Sequence, residues 1–297
     1  MAGPRIIGSE VEPQLDWIGL SDALAEGHTL PRAEMLDSFA TRGDDTILTR
    51  TAWIVGLGLL VKAATVFPGN VNAPSINGAV TLFSDADGTL EAVLDFHLVT
   101  KWKTAADSLL AARRLAPPKV SKILIVGAGT VARSLMSAYG AAFPEAEFLL
   151  WNRTPRRAEA LLGPGVRQVL DLRDAVAEAD IVATATMATE PLIEGAWLRP
   201  GQHLDLIGAY RGDMREVDDT ALTRARLFTD AKPSAAHIGE IADPLARGVI
   251  SDSDIIADFY NLAEFTRAPD DITIAKNAGG AHLDLMTAKY ILAAAAS

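Results

Sequence analysis

The 297-residue chain contains no cysteine, which excludes disulfide bonds, thiolate catalysis and cysteine-ligated metal sites. Its five histidines are scattered without the spacing of metal ligands, so we expect no metal site. Positive charge is scarce: Lys and Arg total 27 against 38 Asp and Glu, and no basic block offsets the formal net charge of −11. This balance predicts neither nucleic acid nor an anionic membrane surface as a partner.

Long apolar runs are missing as well. The longest, residues 53–61, stops at Lys62 and is too short to span a bilayer. The first residues lack the basic stretch and apolar segment of a signal peptide, so we expect a soluble, cytoplasmic protein. Apolar side chains are nevertheless abundant, at 49% of the chain, which is enough for a sizeable core, and the length suits one large domain or two ordinary ones.

Two secondary-structure patterns follow one another along the chain. Residues 46–96 show the alternating apolar pattern of strands, with a hairpin turn at Asp87-Gly88. Residues 99–116 then favour a helix with Thr100 as its N-cap, and Pro117-Pro118 predicts both the end of this helix and a domain boundary.

From Ser121 onward, buried strands alternate with amphipathic helices. The strand-like segments are KILIV, AEFLLW, ADIVATAT, HLDLIGA, ARLFTDA and DITIAK, and a last helix is predicted from about Ala281 to Ala296. Strands alternating with helices are typical of a parallel sheet covered on both faces. We therefore predict an α/β fold with a Rossmann-type, doubly wound sheet.

The strongest single motif is a glycine-rich turn between the first of these strands and its helix. Gly127 and Gly129 would let the backbone approach a pyrophosphate at the helix N-terminus, next to Thr130 and Val131. Ala132 takes the place of the third glycine, where close helix–strand packing needs a small side chain. In this strand–turn–helix context the motif predicts dinucleotide binding.

The end of the next strand indicates which dinucleotide. An NAD site usually has an acidic residue there to hold the ribose 2′-hydroxyl, whereas this strand is followed by Asn152, Arg153 and Thr154. A guanidinium and a hydroxyl suit a 2′-phosphate, so the sequence favours NADPH, with NADH as the alternative. The other interpretation of these arginines, a solvated helix start, is disfavoured because positive charge opposes the helix dipole.

Several further motifs, in order, resemble the ornithine cyclodeaminase/μ-crystallin family from about Lys62 to Asp284. They are Lys62 ahead of FPGN, the hairpin GAVTLFSDADGTLEAVLD, KTAADS at 103–108, the GAG loop, WNRT at 151–154, GAYRGDMREVD and GGAHLDL. A series of motifs in the right order is far more specific than any one of them.

This resemblance implies two domains. Residues 118–277 would form the NADP-binding Rossmann domain. Residues 1–117 with 278–297 would form a second, α+β domain that carries the substrate site and the interface of a homodimer. The implied substrate is a small amino or imino acid lying against the nicotinamide.

The resemblance also assigns the substrate site. Lys62 falls on the family's active-site lysine, which implies a role in binding the substrate carboxylate or in proton donation, with a pKa lowered by burial. Lys103 replaces the arginine of the family's RTAA motif and is expected to pair with the carboxylate as a point charge. Arg50 and Arg42 are candidates for a further carboxylate contact, with ordinary exposed arginines as the alternative.

One departure from the family pattern bears on the reaction. Cyclodeaminases carry an acidic residue directly after the glycine–alanine pair that corresponds to Gly208-Ala209 at the end of HLDLIGA, and they carry a lysine farther on. Here Tyr210 and Met214 stand at those positions. Without the acid–lysine pair, hydrolytic deamination loses its general base. Tyr210 is expected either to contact substrate or to form part of the pocket wall.

The remaining residues implied by the resemblance line the cofactor. Thr104 is expected near the phosphates, Thr186, Met187 and Ala188 near the adenosine and ribose, and Asn277 and Gly279 near the nicotinamide. For Met187 the alternative is ordinary core packing.

Together these features predict NADPH-dependent reduction of a cyclic imino acid, Δ1-pyrroline-2-carboxylate or Δ1-piperideine-2-carboxylate. The KTAADS variant resembles the branch with that activity. Three alternatives stay open: an alanine-type amino-acid dehydrogenase, an ornithine cyclodeaminase, and a non-catalytic NADPH-dependent binder of small carboxylates.

Overall fold

The computed structural model of the protein describes residues 3–296, which separate into two compact units, residues 3–106 with 280–296 and residues 107–279. Met1, Ala2 and Ser297, which belong to the predicted second domain, lie outside the described residues. The first boundary falls between Ala106 and Asp107, inside a helix, rather than after Pro117. Pro117-Pro118 limits how far the helix extends, but one helix can contribute successive turns to two units.

The first unit is built on a mainly antiparallel sheet. Across the described residues this sheet has six strands in the order β1-β6-β5-β4-β3-β2, and β1 alone is parallel to its neighbour. The strands are β1 (Arg5–Ile7), β2 (Glu34–Arg42), β3 (Asp45–Ile54), β4 (Gly58–Val66), β5 (Ile76–Phe83) and β6 (Leu90–Asp95). The periodicity of residues 46–96 predicted β3 to β6. It did not predict the edge strand β2, which is exposed along its whole length and therefore has no apolar/polar alternation.

Helices complete this unit. They are α1 (Trp17–Gly27), the first part of α2 (Phe96–Leu115) and α8 (Ala281–Ala294). The last of them, α8, lies against β3, β4 and β5, with α1 beside it. The expected N-cap at Thr100 is wrong: α2 begins four residues earlier, directly after β6, and Asp95 Oδ1 accepts a hydrogen bond from Leu98 N at 2.7 Å.

The second unit contains the predicted Rossmann-type sheet. In the part of the chain that is described, eight parallel strands follow the order β13-β12-β14-β11-β10-β7-β8-β9. The strands are β7 (Lys122–Val126), β8 (Glu147–Trp151), β9 (Val166–Gln168), β10 (Ile181–Thr184), β11 (His203–Leu206), β12 (Arg226–Thr229), β13 (Ile255–Ala257) and β14 (Thr273–Lys276). The chain reverses its direction of travel across the sheet between β7 and β10, the position where such sheets bind ligands. The prediction of fold class is confirmed.

Helices cover this sheet, and its strands are buried among apolar side chains. The helices after α2 are α3 (Thr130–Ala142), α4 (Leu172–Glu178), α5 (Asp219–Arg224), α6 (Lys232–Ala235) and α7 (Gly239–Ala246). Between β8 and β9, where the alternation of strands and helices predicts a helix, two short 3-10 turns occur instead. Over residues 3–296, no helix has the length and apolar character to cross a membrane.

Candidate active site

Lys62 lies on the covered face of the first sheet. Side chains alternate along β4, and Lys62 shares its face with the buried residues Leu60 and Ala64. Only 5% of its surface is exposed. A charged side chain at such a position needs partners to offset its desolvation.

Two polar groups and an aromatic ring surround the Lys62 ammonium. Its Nζ donates hydrogen bonds to Asp284 Oδ1 on α8 and to Thr100 Oγ1 on α2, each at 2.8 Å, and lies 4.8 Å from the centre of the Phe96 ring. Burial lowers the pKa of Lys62 below its ordinary value, and the carboxylate of Asp284 opposes that shift. The geometry thus provides a buried ammonium with a nearby counter-charge.

Strand register places Arg50 next to this lysine. Arg50 on β3 is directly opposite Lys62, and Asp37 on β2 is opposite Arg50. Three hydrogen bonds of 2.8–3.1 Å join the Arg50 guanidinium to the Asp37 carboxylate. Arg42, at the tip of the same hairpin, is instead highly exposed and paired with Asp45 at 3.0 Å. The structure therefore brings Arg50, and not Arg42, together with Lys62.

Lys103 adds a further positive charge to this cluster. It lies on α2 and is only 8% exposed. Within residues 3–296 its ammonium has no hydrogen-bond or ion-pair partner, although it acts electrostatically on both Lys62 and Asp284. The cluster therefore carries three positive and two negative charges, on the five side chains of Lys62, Lys103, Arg50, Asp284 and Asp37. The cluster is suited to an additional anionic group.

The glycine turn of the second unit has the geometry that a pyrophosphate requires. Gly127 has a φ of +118°, and a Cβ there would lie 2.5 Å from the backbone oxygen of Ala185. Among the described residues other than its two chain neighbours, no atom lies within 4 Å of the position of a Cβ on Gly129, which precedes α3 and provides no side-chain cap. The first amides of α3, at Thr130 and Val131, are therefore available to an anion. These residues fit a dinucleotide.

The predicted 2′-phosphate residues follow β8. The Asn152 side-chain amide donates a hydrogen bond to the backbone oxygen of Thr154 at 2.8 Å, so the chain turns here. Arg153 and Thr154 are both exposed. No acidic residue occurs between positions 152 and 158. This end of the strand therefore combines positive charge and a hydroxyl without a carboxylate.

A buried carboxylate, Glu216, holds the two loops that follow β10 and β11. Its Oε1 accepts from the amide and the hydroxyl of Thr186 at 2.9 and 2.6 Å, and its Oε2 accepts from Thr184 Oγ1 and Gly208 N at 2.7 Å each. The backbone oxygen of Ala188 accepts from Arg215 N at 3.1 Å. Residues 186–188 are thereby held at the carboxyl end of the sheet.

Met187 in this loop is 68% exposed, so ordinary core packing does not explain it. An exposed apolar side chain at the carboxyl end of a parallel strand is suited to contact a planar ligand. Its assignment to the adenosine and ribose stays a prediction.

Two further buried acids hold the segment after β14. Asp230 accepts from the amides of Ala278 and Gly279 at 3.0 and 2.5 Å, and Asn277 donates to Asp107 at 2.9 Å. Gly279 has a φ of +69°, which favours glycine. Among the described residues, the buried Oδ1 of Asn277 has no hydrogen-bond partner. A donor on a bound group such as a nicotinamide carboxamide would satisfy it.

Glu240 is a further buried acid, and its carboxylate accepts hydrogen bonds from the backbone amides of Glu216 and Val217. Burial, together with the neighbouring Glu216 carboxylate, raises the pKa of Glu240 from 4.5 to about 7. The folded protein thus binds this proton more tightly than the unfolded chain. The resulting stabilisation is complete below about pH 4.5 and is lost as the pH rises through about 7.

We accordingly expect the free energy of unfolding to fall between pH 5 and pH 8, with Glu240 contributing up to roughly 3 kcal/mol of the change. Denaturant titrations at both pH values would measure it. In Glu240→Gln, which cannot ionise, the fall should be smaller. An identical fall in the variant would show that Glu240 does not titrate in this range.

Tyr210 and Met214 differ in their surroundings. Tyr210 follows β11 and is 57% exposed. The Arg211 guanidinium carbon lies 5.5 Å from the centre of the Tyr210 ring. Met214 is buried in a small apolar cluster with Ala209 and Ile238. A lysine in place of Met214 would therefore be unfavourable here. Thr104 lies on α2 next to Lys103, in the first unit, and its approach to the phosphates stays a prediction.

Residues 55–297 match the sequence profile of the ornithine cyclodeaminase/mu-crystallin family. The chain belongs to this family. The predicted resemblance is thereby confirmed over most of the sequence, including the segments that carry Lys62, the glycine turn and Asp284.

Curated members of the family are similar over most of their length. A protein of Paracoccus denitrificans named delta(1)-pyrroline-2-carboxylate reductase is 47% identical over 292 residues, which cover 94% of this chain and 92% of that protein. The mouse ketimine reductase mu-crystallin is 35% identical over 240 residues, 78% of this chain and 75% of that protein. Both proteins carry the name of a reductase.

Solved structures of the family share the fold. The delta(1)-pyrroline-2-carboxylate reductase of Thermococcus litoralis, in complex with NADH and L-proline, superposes with a TM-score of 0.89 at 24% identity and covers 98% of this chain and 97% of its own. This similarity extends the family fold to both units.

Two buried acids that hold parts of this site together were not singled out from the sequence. Asp284 and Glu216 both lie in family motifs, GGAHLDL and REVD, but no role was assigned to either. Asp284 lies between Leu283 and Leu285, a pattern that indicates burial and hence a need for partners, whereas Glu216 lies between Arg215 and Val217 and has no such signal. Which donors they bind depends on strands and helices distant in the sequence.

Proposed function

We propose that this protein reduces a cyclic imino acid, Δ1-pyrroline-2-carboxylate or Δ1-piperideine-2-carboxylate, to proline or pipecolate with NADPH as cofactor. The observation that carries the proposal is the cationic cluster of the buried Lys62 and Lys103 with the partly exposed Arg50, in which Lys103 lacks a partner among the described residues. A carboxylate on a small substrate is the anion that this cluster suits best. The reductase names of the relatives support the reaction class.

In this proposal the chain's own residues bind and orient the imine. Lys103 pairs with the substrate carboxylate, and Lys62, held between Asp284 and Thr100, binds the same carboxylate and supplies a proton near the ring nitrogen. Bound NADPH supplies the hydride that adds to the imine carbon. A two-point grip on the carboxylate keeps that carbon at reacting distance and so removes much of the entropic cost.

Steady-state NADPH oxidation distinguishes the proposal from its alternatives. We expect turnover with the two cyclic imines and little or none with pyruvate plus ammonia, and no formation of proline and ammonia from ornithine with catalytic NAD. Turnover only with keto acids would indicate an amino-acid dehydrogenase. Cyclisation of ornithine would indicate a lyase, and tight NADPH binding without any turnover would indicate a binding protein.

The preference for NADPH rests on Arg153 and Thr154. A charge-assisted hydrogen bond to the 2′-phosphate contributes about 1.5–3 kcal/mol. Arg153→Ala should therefore raise the KM for NADPH about ten-fold or more and leave the KM for NADH nearly unchanged. Arg173→Ala, which removes an arginine outside this segment, serves as the control and should change neither constant. A wild-type preference for NADH would contradict the assignment.

We also propose a homodimer that uses the edge of the first sheet. Leu36 and Phe39 on the edge strand β2 are both largely exposed, together with Ile47 on β3. Exposed apolar side chains along an unprotected edge strand favour association. A second copy of the chain would cover them.

A further inference from the structure

The second carboxylate oxygen of Asp284 is not accounted for by the contacts of Lys62. Asp284 is fully buried, and its Oδ1 accepts the hydrogen bond from Lys62 Nζ at 2.8 Å. Its Oδ2 is also buried and has no hydrogen-bond partner among the described residues. A buried, ionised oxygen without a donor is costly, and such atoms in native proteins require an explanation.

We propose that Asp284 is a substrate-binding residue whose Oδ2 accepts a hydrogen bond from the protonated ring nitrogen of the cyclic imine and of its amine product. This inference rests on the proposed function and extends it, because it states which protonation state of the substrate the site selects.

The covalent structure of the substrate matches the Lys62–Asp284 pair. In an α-imino acid the nitrogen and the carboxylate are attached to the same carbon, so a positive and a negative group lie side by side. The pair offers the complementary arrangement, an ammonium and a carboxylate 2.8 Å apart. Joining the two gives a ring of alternating charges, in which each hydrogen bond is charge-assisted and therefore strong.

The fold holds the two halves of this arrangement independently. Lys62 is fixed by its alternation on β4, and Asp284 lies in the first turn of α8, where a negative charge is favoured by the helix dipole. Positive charge from Lys62, and next from Lys103, favours the ionised form and lowers the pKa of Asp284, whereas burial opposes that shift. Asp284 therefore acts as an acceptor and not as a proton donor.

A carboxylate acceptor at the nitrogen determines which substrates react. The N-protonated imine is the better electrophile, because hydride addition to its carbon moves the π electron pair of the C=N bond onto nitrogen and cancels the positive charge. The proton that Lys62 supplies then converts the resulting neutral amine into its ammonium form. Asp284 would stabilise the N-protonated imine. A keto acid places a carbonyl oxygen, with its lone pairs, against Oδ2, and a neutral imine places a nitrogen lone pair there. Both contacts are repulsive, which disfavours these two forms.

Ligand binding to the wild-type holoenzyme tests the idea without any mutation. With saturating NADP⁺, dissociation constants would be measured by calorimetry for L-proline, cyclopentanecarboxylate and (S)-tetrahydrofuran-2-carboxylate, which share the carboxylate and differ at the ring position of nitrogen. We expect proline to bind about ten-fold or more tightly than either analogue, the effect of one charge-assisted hydrogen bond. Equal affinities for the three ligands would overturn the inference.

Asp284→Asn tests the residue itself. The ten-fold preference for proline should fall to about two-fold or less, while the affinity for cyclopentanecarboxylate is retained or increased. The matched control is Asp16→Asn, a change at the N-cap of α1, where Asn caps equally well. That control should keep the full preference. Retention of the preference in Asp284→Asn would remove Asp284 from the binding site.

The outcomes separate this inference from the proposed function. If the wild type reduces cyclic imines but Asp284→Asn keeps the preference for proline, only the role of Asp284 is wrong. If no imine is reduced but the preference exists and Asp284→Asn abolishes it, the binding role stands and the reaction must be reassigned. If Asp284→Asn does not fold, the wild-type ligand series decides.

Discussion

Lys62→Met is expected to lower kcat for cyclic imine reduction by about 100-fold or more, the usual range for losing a positioned proton donor. The same change removes one of the groups expected to hold the substrate carboxylate and leaves Asp284 without its counter-charge. Methionine keeps much of the side-chain volume, so packing on the covered face of β4 is largely preserved. Steady-state kinetics at saturating NADPH would measure the loss.

The pH dependence provides a second measurement on the same variant. Burial lowers the pKa of Lys62, and Lys103 and Arg50 add to that effect while Asp284 opposes it. The proton is therefore lost at a pH below the ordinary range for lysine, and kcat should decline as the pH rises through this value. In Lys62→Met that alkaline decline should disappear.

Lys103→Ala is the comparison variant for Lys62→Met. Because Lys103 is expected to bind the carboxylate without handling a proton, its loss should raise KM about ten-fold or more and change kcat little. NADPH affinity should be unchanged in both variants, since neither lysine is assigned to the cofactor. Near wild-type kcat/KM in Lys62→Met would remove Lys62 from the mechanism and favour the binder or dehydrogenase alternatives.

The second large effect is expected for Glu216→Ala. Glu216 accepts hydrogen bonds from Thr184, from Thr186 and from the loop that starts at Gly208, and its charge faces the buried ammonium of Lys276. Removing it leaves several buried donors unsatisfied at once. We expect a loss of about 3–5 kcal/mol in the free energy of unfolding, the range for breaking a buried charged network.

The same variant should lose cofactor affinity by about ten-fold or more, because the loop at residues 186–188 is no longer held at the end of the sheet. Glu178→Ala is the control: this partly exposed acid forms surface ion pairs with Lys122 and Arg167, and its loss should cost less than about 1 kcal/mol. Wild-type NADPH binding in a folded Glu216→Ala protein would show that Glu216 stabilises the unit without positioning the cofactor.

Local patterns were sufficient for the parts of the fold that depend on neighbouring residues. Apolar runs predicted the strands β7, β8 and β10, and the glycine turn between β7 and α3 was recognised because its function requires a particular backbone conformation. The start of α2 was predicted wrongly at Thr100. A hydroxyl can cap a helix, but Asp95, the last residue of β6, is the group that does so.

Order along the chain also identified the family, and with it Lys62 and Lys103 as residues of interest. What the sequence by itself determined, then, is the alternation of strands and helices, the glycine turn, the absence of an acid after β8 and the family to which the chain belongs. The first three are properties of contiguous residues, which local sterics and local charge decide, and the family follows from the order of several such segments.

The tertiary structure alone decided which distant side chains meet. Lys62 and Asp284 are separated by most of the chain, yet their polar atoms lie 2.8 Å apart because α8 packs on the sheet that contains β4. Strand register selected Arg50 over Arg42 as the neighbour of Lys62. The partnerless Oδ2 of Asp284 and the donors around Glu216 are likewise consequences of packing. Contacts of this kind depend on how helices and sheets pack against one another, and no short segment of the sequence specifies that packing.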